Sequence, residues 1–106
     1  MKITHHFGPT NDVQGVQVGL YVKVTEFRSG ESIPMHQHVH SHMSGLARGW
    51  ALFTVDGKSE EIHAPHLFNV ESGHDHQVVA LTDVTWWCIH ATDERDETKI
   101  DEKLTS

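Results

Sequence analysis

The chain has one cysteine, three prolines and no long apolar run among its 106 residues, and each scarcity closes off a class of protein. A single thiol cannot form an internal disulfide, so Cys88 fits a reducing compartment better than a bridge-stapled secreted fold. Without a stretch of about twenty apolar residues there is no membrane-spanning helix. Cations are scarce too. Eight Lys and Arg stand against fifteen Asp and Glu, a net charge of -7 with neutral histidines, which argues against nucleic acid or an anionic membrane as partner. The opening Met1-Lys2-Ile3-Thr4-His5-His6 lacks an apolar signal core, so the expected location is the cytoplasm. The length suits one domain, 1–106, whose small core would gain from self-association or a bound metal.

What is plentiful is histidine. Eleven are present, four of them between His36 and His42 and four more between His63 and His76. Imidazole titrates near neutrality, is poorly buried without a partner and is the commonest metal ligand, so clustering of this kind needs a reason.

Periodicity predicts an all-β chain. Val16, Val18, Leu20, Val22 and Val24 alternate with Gln17, Tyr21 and Lys23, the pattern of one half-buried strand from Val16 to Val24. Further short strands are expected at 33–38, 42–47, 50–55, 59–63, 67–70, 76–81 and 84–91, with Asp56-Gly57 marking a tight hairpin. Turn signals every eight to twelve residues point to a sandwich or barrel, with its core at about 16–91. The first fifteen residues read as irregular. The charged tail 93–106, with Ile100 and Leu104 four apart, reads as a short helix or a frayed end.

His36, His38, His40 and His42 would share one face of a continuous strand, spread over roughly 20 Å at about 3.3 Å per residue. One metal cannot touch all four, because its bonds to nitrogen are only about 2 Å long. Two ligands at i and i+2 can share an ion, while a third needs the chain to turn back. The simplest solution bends at His40-Ser41 and brings His42 in from the next strand, with His40 as the competing third ligand. The rival view, surface histidines without a role, sits poorly with four at a period of two. The interior position and the interleaved residues exclude an expression tag.

These residues resemble the first motif of the cupin superfamily, G-x5-H-x-H-x3,4-E-x6-G. Gly30, His36, His38, His42 and Gly49 match every spacing, with His42 standing where the family has Glu. The second motif is met loosely by Val70-Glu71-Ser72-Gly73-His74-Asp75-His76, with Glu71 in place of proline. The resemblance implies a double-stranded β-helix, or jelly-roll, barrel with a metal inside one mouth, held by His36, His38, His42 and His76. Four neutral imidazoles suit a single divalent Zn, Fe(II), Ni, Co or Cu over Mg, Mn or Ca, and their uncompensated charge favours an anionic ligand. Gln37, Ser41 and Asp75 are candidate outer partners for the ligand rings.

Other residues carry weaker expectations. His74, His90 and Tyr21 are candidates for moving protons. His63 and His66 read as loop residues around Pro65, and His5 and His6 as disordered or packed near the terminus. Adjacent Trp86 and Trp87 should face opposite ways, while Trp50 should point outward from the inward set Ala51, Phe53 and Val55. An outward Trp hints at a homodimer. Cys88 and His90 share the face of Trp86, and Arg48 is a distant candidate for a substrate carboxylate. The resulting expectation is a small metal-dependent enzyme, of dioxygenase, isomerase or lyase type, acting on a small anionic metabolite. Its rivals are a non-catalytic module that binds a small ligand or metal, and a barrel with a purely structural metal.

Overall fold

The computed structural model describes residues 1–36 and 41–100, with residues 34–36 described by their backbone alone. Gln37, His38, His40 and Leu104 lie outside the described residues. The strands are β1 (Lys2–Phe7), β2 (Asn11–Val13), β3 (Val16–Val18), β4 (Leu20–Phe27), β5 (Ser32–His36), β6 (His42–Arg48), β7 (Trp50–Val55), β8 (Lys58–His63), β9 (His66–Val70), β10 (His76–Ala80) and β11 (Val84–Ala91). They form a five-stranded sheet in the order β1-β4-β11-β6-β9, a four-stranded sheet in the order β5-β10-β7-β8, and a small β2–β3 hairpin. The pairing is antiparallel throughout these sheets. The two larger sheets enclose Phe27, Leu46, Ala51, Ile62, Val78, Ala80, Val84 and Trp86. The all-β barrel read from the periodicity is what the chain forms.

Local chemistry sets the turns. Asp56 and Gly57 have φ of 48° and 80°, the double left-handed geometry that a two-residue hairpin requires, and they join β7 to β8. Gly49, at φ 89°, separates β6 from β7. A Cβ there would overlap the main-chain carbonyl oxygen of Asp83, whereas one on Gly57 would meet nothing within 4 Å. Gly49→Ala and Gly57→Ala should both incur a left-handed backbone penalty of about 1–2 kcal/mol. Only Gly49→Ala adds the overlap. Its urea midpoint should therefore fall clearly below that of Gly57→Ala, and equal midpoints would contradict the packing described.

Two sequence expectations need correction. The first fifteen residues are not irregular: β1 runs antiparallel to β4 from Lys2↔Glu26 to Phe7↔Tyr21, and β2 pairs with β3. The expected Val16–Val24 strand is two strands divided at Gly19, and its buried face is the opposite one. Tyr21, Thr25 and Phe27 point inward, while Val16, Val18 and Leu20 are exposed. The inner wall at this end of the barrel is lined by polar groups and rings, so the valine face is turned outward.

The tryptophans divide as their strand positions require. Trp86 is 2% exposed and Trp87 is 41% exposed. Trp50 lies on the outside and stacks on His63 with ring centroids 4.2 Å apart. In the tail, residues 97–100 make one helical turn, started by Asp96, whose Oδ1 accepts from the Thr98 amide. This turn buries Ile100 against Tyr21, with Phe7 alongside. No helix among the described residues is long and apolar enough to cross a membrane.

Candidate metal centre

Antiparallel pairing gathers three of the expected histidines at one end of the barrel. β5 ends on His36, while β6 starts on His42 and β10 on His76. His36 and His76 are direct cross-strand partners in the four-stranded sheet. His42 sits opposite Val70 in the five-stranded sheet, so the chain changes sheets between His36 and His42. His42 thus comes in from the next strand, while the bend expected at His40-Ser41 includes a residue outside the described ones. The rings of His42 and His76 are 8% and 4% exposed. Burial of an imidazole is costly unless its nitrogens are engaged.

Nδ1 of His76 donates to the His74 carbonyl at 3.2 Å. Such a bond fixes the ring and makes Nε2 the ligating nitrogen, the usual arrangement of a metal-binding histidine. The partner seen at Nδ1 is a main-chain oxygen. The Ser41 hydroxyl, an expected outer partner, accepts from the Ser72 amide at 3.0 Å.

A row of rings continues from His42 along the inner wall. His42 stacks on His90 with centroids 4.5 Å apart, and His90 lies 6.1 Å from Tyr21. The Tyr21 hydroxyl, on a residue only 1% exposed, is hydrogen-bonded to His5 Nδ1 at 2.6 Å. Of the two expectations for His5, the packed one holds: it is a β1 residue whose ring reaches the buried Tyr21 hydroxyl. Cys88 packs against the core, and burial pushes its thiol pKa up. Cys88, His90 and Trp86 do share the inward face.

His76 opens into a cavity of about 710 Å³ whose lining includes Phe53, Val55, Asn69, Val70 and His74. Asp56, Glu60, Glu71 and Lys58 also line it. Three carboxylates against one lysine make the lining net negative, which attracts a cation. His74 is exposed on this lining, and its Nδ1 donates to Asp56 Oδ2. That hydrogen bond, with the charge of Asp56 behind it, raises the His74 pKa, and the same bond holds the Asp56 carboxyl below its ordinary value. The two shifts have opposite pH limits. What His74 contributes to stability is present below the ordinary imidazole value and is lost as pH rises through its raised one. What Asp56 contributes is present above the ordinary carboxyl value and is lost as pH falls through its lowered one. The His74 ring protons should therefore titrate by NMR at a higher midpoint than a free imidazole, and Asp56→Asn should bring that midpoint down. An unchanged midpoint in the variant would remove Asp56 as the cause.

Several sequence candidates lie elsewhere. Arg48 closes β6, about 20 Å along the strand from His42, and lines a different pocket with Lys2 and Asp83. His63 and His66 are not loop residues. They end β8 and begin β9, both exposed, and His63 pairs with Glu61 at 3.0 Å. Asp56 is the residue that sequence reasoning missed: its Asp-Gly signal announced a turn and nothing of its reach to His74. Among the described side chains no group of three His, Cys, Asp or Glu is close enough to hold a metal. A site on the expected set therefore needs His36 and His38. The chemistry of the described part fits such a site, with two buried imidazoles on opposite sheets at one mouth and one of them oriented through Nδ1.

The class defined so far is a double-sheet jelly-roll barrel with buried histidines at one mouth. Its fold is that of the cupins. KdgF from Halomonas sp. superposes with a TM-score of 0.64 at 17% identity, covering 91% of this chain and 83% of that one. A cupin superfamily protein from Desulfitobacterium hafniense DCB-2 gives 0.63 at 15% identity, covering 87% and 79%. A predicted oxalate decarboxylase from Thermotoga maritima gives 0.61 at 18% identity, covering 83% and 91%. No family model matches the sequence, and no curated protein matches it significantly. At these identities the likeness is one of fold.

Proposed function

We propose that this chain binds one divalent transition metal, Fe(II), Zn, Ni, Co or Cu, through His36, His38, His42 and His76, and acts with it as an enzyme on a small carboxylate. The observation that carries this reading is the burial of His42 and His76 at the same barrel end from opposite sheets. When bound, the ion supplies a Lewis acid for an anionic oxygen or a site for dioxygen. The residues of the chain do the rest. Phe53, Val55 and Val70 give the cavity an apolar wall, His74 holds a proton against Asp56 at its lining, and Tyr21 and His90 line the neighbouring inner wall. The name of the predicted oxalate decarboxylase among the similar structures supports a small carboxylate as ligand. Because the cavity itself carries Asp56, Glu60 and Glu71, an anion should bind only after the metal does.

Metal analysis and an access test decide between this and a closed structural site. Protein purified without chelators should take up about one Co(II) per chain, with a visible spectrum that changes on adding azide. Failure to bind any of the five ions at micromolar concentration would overturn the reading. A tetrahedral four-nitrogen spectrum indifferent to azide would assign the metal to stability alone.

A further inference from the structure

The tip of the β7–β8 hairpin reaches across to the segment that delivers His76. The Asp56 amide donates to the Asp75 carbonyl at 2.8 Å, and Asp56 Oδ1 accepts from the Asp75 amide at 3.0 Å. Asp56 Oδ2 accepts from His74 Nδ1. One residue thus holds the amide and the carbonyl of Asp75, which lie on consecutive peptide units, and the His74 ring as well. The His74 carbonyl, in the same peptide unit as the Asp75 amide, takes the hydrogen bond from His76 Nδ1. Asp56 has a left-handed backbone, φ 48°, a conformation that Asp and Asn adopt more readily than most other residues. The backbone is thereby committed to aiming its amide and its carboxylate the same way.

We propose that Asp56 is the positioning residue for the metal ligand His76, acting through the His74 carbonyl. The inference rests on the metal reading above. A ligand ring whose outer acceptor is fixed keeps its tautomer and its direction, and losing such a partner typically weakens metal binding about 10–100-fold. Removing the carboxylate leaves the backbone bond but takes away the acceptor of the His74 ring and of the Asp75 amide, so the peptide whose carbonyl aims His76 is held less firmly.

The test is a Co(II) titration followed by visible absorption on the full-length chain and two variants, at a temperature where all are folded. Asp56→Ala should raise the dissociation constant by about 10–100-fold and shift the ligand-field bands. Asp56→Asn keeps an Oδ1 acceptor and tolerates the left-handed backbone, so it should recover most of the affinity and the wild-type bands. It also serves if the alanine variant does not fold. A purely structural role would lower the melting temperature of the metal-free protein and leave the bands of the folded fraction alone. Wild-type bands and affinity in Asp56→Ala, or Asp56→Asn behaving no better than it, would overturn the proposal while leaving the metal centre standing. Absence of Co(II) binding by the wild type would overturn both.

Discussion

Replacing His76 with alanine should abolish stoichiometric metal binding and, with it, the stabilisation that the metal confers. A ligand present at about a thousandfold excess over its dissociation constant contributes roughly 4 kcal/mol to the folded state. In a domain of this size each kcal/mol moves Tm by about 4–8 °C. Wild-type protein should therefore melt far higher with Zn or Co(II) than in a chelator. In His76→Ala the two curves should nearly coincide. His63, on the outer surface against Trp50, provides the control: His63→Ala should keep the full metal-dependent rise. A His76→Ala protein that still gains the wild-type increment would exclude His76 from the ligand set.

The second large effect comes from the core. Trp86 packs edge-on to Phe68 at 5.4 Å and lies 5.9 Å from Phe53, and Leu46 is its cross-strand partner. Truncating a buried aromatic to alanine costs about 3–5 kcal/mol, from lost transfer energy and the cavity left behind. Small domains have total stabilities near the lower end of about 5–15 kcal/mol. Trp86→Ala should be mostly unfolded, or unfold in very little urea. Trp87→Ala, one residue away on the outer face, should change stability by less than about 1 kcal/mol. Comparable urea midpoints for the two variants would show that the faces of β11 have been assigned wrongly.

Much of the architecture was legible because it depends on local signals. Alternation marked the strand at 50–55, turn residues set off the one at 84–91, and Asp56-Gly57 specified a turn that only left-handed residues make. Which face is buried was less legible. Alternation in Val16–Val24 marks two faces without naming the inner one, and hydrophobicity misleads where the inner wall is built of the buried rings of Tyr21, His90 and His42. β1 escaped notice because Lys2–Phe7 is an edge strand with a single neighbour and no alternation. At the candidate site, the spacing of His36, His38 and His42 contains the geometry in principle, because a ligand after a chain reversal must follow within a few residues. The reach of Asp56 to His74 and Asp75 left no mark in the sequence, since a contact across eighteen positions is made by topology alone.

The lone thiol turns the barrel into its own timekeeper. Cys88 faces inward, with its ionisation opposed by burial, and only the thiolate reacts quickly with an alkylating reagent. Labelling of the native protein must wait for the walls to part, so the pace at which mass is added at Cys88 counts the openings of the shell without any engineered probe.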